Sequence, residues 1–544
     1  MSKIDIKTMP FEKTSIDSIN GYYTDYPVVY FLNNGTTVYI GETVAVRNRM
    51  RDHLNNRERK SLKKMSLIIH EKFNRSATYN IETKLINYFL ADERYKLQNK
   101  SQTVNSVMHN YYDKKFFNEE LFEDIWDELL KRDIVDNSRS TIENKDIFKL
   151  SPFKELSIEQ LELQQKIIEV CKQHINDDEP FVFLIKGEAG VGKSVVLSSV
   201  INKIQELSKE KSSSLNNTNN YLLVNHTEML KTYKKIAGNV KALTKKNFEK
   251  PTSFINQRKK LMKKADIVLV DEAHLLLTKP DPYNNFVEDN QLQEIIRHSK
   301  IIIAVYDDKQ VLKMKSYWDE ERLYSIIGNY NTEPTYKLTN QFRMKANNEM
   351  VNWIDHFVEK KITKIPKDPE YDIKIFESAA TMYDVIQKMN KDYGLARIVS
   401  TFDYIHKKDN QEYYVEEDNF KLPWNGDYGN ITWAEKADTV REVGSIYTIQ
   451  GFDLNYVGVI LGPSITYDEC KDELKILTEN YKDTEAFRGK DEFQNSEDIK
   501  EKIILNSINV LMKRGIHGLY IYASDPKLRS RLLELQRTQK IDEI

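Results

Sequence analysis

The sequence predicts an α/β protein: a small α/β domain at the N-terminal end, followed by a longer segment built on parallel sheets. Three observations carry that expectation. Residues 28–43, VVYFLNNGTTVYIGET, are two strand-like runs around Asn34-Gly35. Seven short apolar runs recur beyond residue 180, with helical patterns between them, as crossover-connected parallel strands require. GEAGVGKS (187–194) stands between one of those runs and an amphipathic helix.

Composition sets the outer limits. The 544 residues suffice for several domains, and 40% hydrophobic with 30% charged residues describe a chain that buries cores and dissolves in water. No apolar run reaches the roughly 18–20 residues of a membrane span, and MSKIDIKTMPFEK lacks a signal-peptide core. Cys171 and Cys470 are far apart and suggest neither a disulfide framework nor a zinc site. The expectation is a cytoplasmic protein with no membrane contact. A net charge of −2 is neutral on nucleic acid, since a large enzyme needs only a local positive track.

Residues 20–112 read as the first domain. Val28–Phe31 and Val38–Ile40 are rich in β-branched and aromatic residues, and Asn-Gly between them signals a hairpin whose type I′ turn needs φ > 0 at both central residues. A helical run covers Arg47–Leu54, a strand Met65–Ile69 and a helix Ile81–Leu90. Residues 113–150 form a connector: FFNEELFEDIWDELL has helical spacing, and Asp133–Asn144 reads as a polar linker.

The next segment covers 151–530, with a C-terminal helix or tail at 531–544. Its buried strands are expected at 181–186, 221–225, 266–271, 301–307, 396–401, 456–462 and 519–524. KSSSLNNTNN (211–220) reads as a surface loop. The lysine-rich run 241–264 is either a solvated helix face or a track for a nucleic-acid backbone.

GEAGVGKS fits G-x-x-x-x-G-K-[ST]. Gly187, Glu188, Ala189, Gly190, Val191 and Gly192 would wrap phosphates with backbone N–H groups, Lys193 would reach the β and γ phosphates, and Ser194 would ligate Mg²⁺. DIVLVDEAH (266–274) ends a strand in paired carboxylates. Asp271 would hold the Mg²⁺ through water, and Glu272 would orient or deprotonate the attacking water. The cofactors expected from these motifs are ATP and Mg²⁺.

The order of further motifs resembles superfamily 1 helicases. LSIEQ is similar to their glutamine motif, YDDKQ (306–310) to the D-x-x-Q motif, LTNQFRM (338–344) to the motif opening the second RecA-like lobe, IYTIQGFDLNYVGVI (446–460) to T-x-Q-G, and NVLMKRGIHGLYIY (509–522) to the final arginine motif. The resemblance implies two RecA-like lobes, at 151–335 and 336–530, with Gln160 reading adenine and Asp307 and Gln310 linking the γ-phosphate to nucleic acid. It implies Arg343 and Arg514 as arginine fingers and Gly451 in the nucleotide site. Asp453 stands where that superfamily carries Glu. LLVNHTEMLKTYKK, KPTSFIN and EVGSIYTIQGFDLNYVGVILGP further resemble the Schlafen group 3-like helicase domain.

The N-terminal set resembles the GIY-YIG nuclease family: Tyr30, Tyr39-Ile40-Gly41, Arg49, His53 four residues on, Glu82 and Asn99. That resemblance implies a metal-dependent endonuclease in which Tyr30 and Tyr39 assist the attacking water and Arg49 binds the scissile phosphate. Glu82 holds Mg²⁺ or Mn²⁺, and His53 is an auxiliary acid or base. Val28 replaces the usual glycine of the first triad. The whole would be a bacterial-type nuclease–ATPase fusion acting on nucleic acid, DNA favoured over RNA, in antiphage defence or repair. A homo-oligomer or a defence-system partner protein is left open. The rival readings are an ATPase switch with a degenerate nuclease used for binding, and an RNA-directed Schlafen-like factor.

Overall fold

A computed structural model of the chain describes residues 4–99, 111–318, 320–339, 341, 343–407, 409, 411–426, 433–434, 436–449, 452–489 and 494–541. Density of internal contacts divides it into two units. One comprises Met1–Ile175, Ser194–Leu222 and Leu230–Phe248, the other Asn176–Lys193, Leu223–Met229 and Glu249–Ile544.

In the first unit, β1 (Asp5–Pro10), β2 (Val28–Asn33), β3 (Thr37–Thr43), β4 (Lys64–Ile69) and β5 (Lys96–Leu97) form a mixed sheet in the order β1-β4-β2-β3-β5. The expected hairpin is present, but its turn differs from the type I′ expectation. Three residues separate the strands, and Asn34 is absent from the positive-φ residues while Gly35 has φ 90°. The reason is the Asn34 side chain: its Oδ1 accepts from Thr36 N (3.1 Å) and Thr37 N (2.9 Å), closing an Asx-type turn that needs only one left-handed residue.

The register pairs Tyr30 with Gly41 and Leu32 with Tyr39, so both tyrosines rise from one face. A Cβ on Gly41 would collide with the Tyr30 phenol, so the glycine is what lets that ring lie flat across β3. Val28, in the position where the family has glycine, is fully buried and pairs with Thr43 without displacing Tyr30 from the sheet. Helix Val46–Asn55 packs its Val46, Met50 and His53 inward, and helix Arg75–Asp92 begins with an Asn74 cap, six residues before the helix expected at Ile81.

The connector is more ordered than a linker. Phe117–Leu121 is a π-helical turn within a helical stretch from Lys114 to Lys131, and Arg139–Asn144 is a further helix. The Asp92 carboxylate fixes the intervening turn by accepting from the backbone N–H of Asp136 (3.0 Å) and Asn137 (2.8 Å). Polar composition concealed this because the order comes from one buried acceptor, not from apolar periodicity.

Strands β6 (Phe181–Gly187), β7 (Asn220–Val224), β8 (Phe248–Glu249), β9 (Ala265–Asp271), β10 (Ser299–Tyr306), β11 (Asn331–Thr332) and β12 (Tyr336–Leu338) belong to one sheet ordered β11-β6-β10-β9-β7-β8, with β12 also on β6. The β6–β10 and β10–β9 pairs are parallel. In the second unit a further sheet uses β13 (Asp372–Ile375), β14 (Ala396–Ser400), β17 (Val443–Gly444), β18 (Leu454–Leu461) and β21 (Gly515–Ala523), ordered β13-β21-β18-β14-β17 with every pair parallel. Antiparallel ribbons β15 (Tyr414–Glu417)/β16 (Phe420–Pro423) and β19 (Ile465–Asp468)/β20 (Glu473–Ile476) branch from it. All seven strands expected from the apolar runs are strands. Among the described residues no helix is long and apolar enough to cross a membrane.

Because Gly41 has no room for a methyl, Gly41→Ala should lower unfolding free energy by about 1–3 kcal/mol, the usual cost of overpacking a filled site. Urea denaturation of the full chain checks this; an unchanged midpoint contradicts the packing described.

Candidate functional site

The C-terminal edge of the β6-β10-β9 block gathers the groups expected from the sequence to handle anions. In the register, Tyr306 of β10 lies beside Lys186 of β6, so the residues that follow, Asp307 and Gly187, emerge side by side. Gly187 is packed at its Cα against Val191 and Leu338, and Gly190 and Gly192 take φ of 90° and 80°, which only glycine adopts cheaply. The loop of Glu188, Ala189, Gly190, Val191 and Gly192 then opens helix Lys193–Leu207. Ser194 follows Lys193 as the second residue of that helix, and its carbonyl accepts from Tyr233 Oη (3.1 Å).

Lys193 is buried, and its Nζ donates to Gly187 O (2.6 Å), Glu188 O (3.0 Å) and Asp307 Oδ2 (2.8 Å). Gln310 Nε2 donates to the same Asp307 oxygen at 2.6 Å. Burial alone would raise the Asp307 pKa, but the Lys193 ammonium, His274 and the Gln310 hydrogen bond bring it below the ordinary range. The D-x-x-Q residues therefore meet the phosphate-loop lysine directly.

Asp271 ends β9 and is buried. Glu272 follows in a left-handed conformation, φ 52°, with its Oε2 2.8 Å from His274 Nε2. Against the upward pull of burial, His274, Lys193 and Arg514 hold Glu272 ionised, well below the usual carboxylate range. A carboxylate kept ionised beside a lysine suits a water-orienting role.

The two expected fingers lie in this unit, Arg514 buried and Arg343 partly buried. Arg514 Nη1 donates to Phe452 O (3.1 Å), and Arg343 Nε lies 2.5 Å from Asp453 Oδ1. Asp453 thus serves as the partner of Arg343. Burial, reinforced by the neighbouring Arg343, lowers Arg514 to about 9. Arg343 Nη1 and Arg514 Nε are buried donors without an acceptor among the described residues. Two adjacent guanidiniums with spare donors fit an anionic ligand such as a triphosphate.

Gln160, expected to read adenine, forms a capping box here: its Oε1 accepts from Ser157 N (3.0 Å) and its N–H donates to Ser157 Oγ (3.2 Å), starting helix Ile158–His174. Gly451 lies outside the described residues. Sequence reasoning missed His226, whose ring lies 5.9 Å from Phe452 and which burial lowers to about 4; the signal available was only a polar residue just past a strand end.

In the first unit the structure also brings the expected set together. Tyr30 Oη lies 2.6 Å from His53 Nε2, and Arg49 Nε donates to the same oxygen at 3.3 Å. The Tyr30 and Tyr39 rings are 6.3 Å apart, and Tyr39 and His53 5.1 Å. Arg59, not singled out in the sequence, lies 3.7 Å over the Tyr39 ring and contacts His53 Nδ1. Since a guanidinium can only donate, Nδ1 accepts and Nε2 carries the proton donated to Tyr30. Burial, then Arg59 and Arg49, lowers His53 to about 3. Burial and the Glu42 carboxylate push Glu82 up to about 8. Asn99 supports the fold: its Oδ1 accepts from Ile40 N (3.1 Å) and its Nδ2 donates to Ile40 O (2.8 Å), bracing the strand that carries Tyr39.

Residues 180–525 match the model of the Schlafen group 3 DNA/RNA helicase domain. The chain belongs to that family. An uncharacterized protein of Saccharomyces cerevisiae is 43% identical over 410 residues, 70% of this chain and 90% of that protein. Among solved structures, the Pif1 helicase of Candida albicans aligns at 12% identity over 71% of this chain and 99% of that one, with a TM-score of 0.27. A DEAD box protein of Methanococcus jannaschii aligns at 13% over 75% and 96%, with a TM-score of 0.29.

The neutral, buried His53 has a pH consequence. Its folded pKa of about 3 lies below the unfolded value near 6.5, so the unfolded chain takes up the proton first. The stability it confers is complete above pH 6.5 and falls by about 1.4 kcal/mol per pH unit below that. Urea midpoints at pH 7 and pH 5 should therefore converge in His53→Gln relative to wild type; an equal acid loss in both refutes the assignment.

Proposed function

We propose that this protein is a nucleic-acid-dependent ATPase of the helicase type, with two RecA-like lobes, coupled to a GIY-YIG-type phosphodiesterase. The observation that carries the ATPase reading is the convergence of Lys193, Arg343 and Arg514, all cationic and the latter two with spare buried donors, beside the ionised Glu272. Lys193 and the loop N–H groups hold the β and γ phosphates, Glu272 orients the attacking water, and Arg343 and Arg514 neutralise charge on the transferred phosphoryl group. Ser194 and Asp271 are the residues that would hold Mg²⁺, which would supply positive charge against the phosphates when bound. Asp307 and Gln310 sense the phosphate end and relay its state to a bound strand.

At the N-terminal site, Tyr30 receives hydrogen bonds from His53 and Arg49, while burial raises its pKa well above the ordinary tyrosine value, so a neutral phenol would orient the attacking water rather than deprotonate it. Arg49 offers its remaining guanidinium donors to a scissile phosphate. Glu82 is the residue that would hold Mg²⁺ or Mn²⁺, and a divalent cation there would relieve the repulsion from Glu42 that raises it. ATP-driven movement along the strand would feed or license cutting. DNA is the favoured substrate, and restriction of foreign DNA or repair is the setting such fusions suggest, by analogy alone.

One observation favours a binding-only second reading: Tyr30 is fully buried and Arg59 covers Tyr39, which suits a nuclease fold that grips without cutting. A panel of DNA and RNA substrates with Mg²⁺ or Mn²⁺, with and without ATP, separates the two. We expect cleavage that Glu82→Ala abolishes, and its absence on every substrate favours the gripping role. Stronger stimulation of ATP hydrolysis by RNA than by DNA would favour an RNA-directed factor. For the ATPase, Lys193→Ala should lower kcat by about 100-fold or more, in line with loss of a phosphate-contacting cation. Intact hydrolysis in that variant refutes the phosphate-site assignment.

A further inference from the structure

Four charged side chains, one of them carried by the phosphate loop itself, close a ring. Lys309 Nζ lies 2.8 Å from Glu188 Oε1 and 3.0 Å from Asp355 Oδ1. Lys513 Nζ lies 2.8 Å from the same Asp355 oxygen and 3.5 Å from Glu188 Oε2. Each partner is placed tellingly in the chain. Glu188 is the second residue of the phosphate loop. Lys309 sits between Asp307 and Gln310. Lys513 immediately precedes Arg514. Asp355, on helix Asn348–Val358, is shared by both lysines.

The ring is not ordinary surface pairing. Lys513 is only 2% exposed, so its ammonium is held in place by Asp355 and Glu188 rather than by water. The two carboxylates hold Lys309 well above its ordinary pKa against the downward pull of burial. A second, neutral tie runs alongside. Asn506, buried on helix Ser496–Met512, donates through Nδ2 to Val311 O (2.9 Å) and Asp308 O (3.3 Å). That helix ends at Met512, next to Lys513 and Arg514. It is therefore fastened to the loop carrying Asp307 and Gln310 at one point, and to the phosphate loop through Lys513 a little further on.

We propose that Glu188, Lys309, Asp355 and Lys513 are positioning residues for ATP hydrolysis, a charge ring that sets Arg514 and the 307–310 loop against the phosphate loop. The inference rests on the ATPase reading above and adds residues that never touch the phosphates with their side chains. Physically, Arg514 can serve the γ-phosphoryl group only if its backbone is placed within a fraction of an ångström. The ring supplies that placement through the residue before it. Loss of one carboxylate leaves a lysine unpaired and lets Arg514 and the phosphate loop drift apart, a kind of misplacement that costs tenfold or more in rate.

The test uses the full chain and steady-state ATP hydrolysis with saturating single-stranded DNA, beside thermal melting. Glu188→Gln and Asp355→Asn should each lower kcat roughly tenfold or more while KM for ATP stays within about threefold, and Glu188→Asp should restore most of kcat. Glu188→Gln is the safer variant for folding because its side chain is half-exposed. Unchanged kcat in Glu188→Gln overturns the proposal, as does a lower melting temperature with undiminished kcat in the folded protein. A wild-type chain without ATP hydrolysis would instead overturn the underlying ATPase reading.

Discussion

The buried pair between Lys193 and Asp307 is the constraint on which the architecture of the proposed nucleotide site depends. Taking either charge from water costs several kcal/mol, and the cost is offset only if the partner and its hydrogen bonds are in place. Asp307 meets that condition through Lys193 at 2.8 Å and Gln310 at 2.6 Å. The sheet makes the meeting possible. β6 ends in the phosphate loop, β10 ends one residue before Asp307, and β9 ends at Asp271, so three neighbouring parallel strands deliver their groups to one edge. A one-residue slip between β6 and β10 would invert the faces and part the ions.

Around that pair the charges are arranged in an order that a phosphate would complete. Glu272 stays ionised beside Lys193 and His274, while Arg343 and Arg514 crowd each other with donors to spare. Asp453 shows how a departure from the helicase pattern is absorbed. One carbon shorter than Glu, it still reaches Arg343 at 2.5 Å. In the N-terminal unit the analogous constraint is steric. Gly41 leaves room for the Tyr30 phenol, and that ring then meets His53 and Arg49.

Much of this was legible in the sequence, for identifiable reasons. Buried parallel strands are nearly continuous apolar runs, so all seven could be read without knowing their partners. Glycine at φ of 90° and 80° leaves a mark in the sequence, which is why the phosphate loop stood out. Less legible were features that depend on a single side chain making a local bond. The Asx turn at Asn34, the Asp92 anchor of the connector and the capping box that engages Gln160 have no periodic signature. Arg59, His226 and the Glu188–Lys309–Asp355–Lys513 ring are contacts between segments distant in sequence, and isolated charges in a chain with 30% charged residues give no hint of them.

The central claim is that the cationic pocket built on the Lys193–Asp307 pair is a triphosphate site. Calorimetric titration of the full chain with Mg²⁺ and a non-hydrolysable ATP analogue tests it most directly, because it needs neither nucleic acid nor turnover. The account predicts one site per chain, with affinity weakened at least about tenfold by Arg343→Ala or Arg514→Ala, the 1.4 kcal/mol or more expected for one charge-assisted contact. Equal affinity in wild type and both arginine variants, or no binding at all, would contradict it.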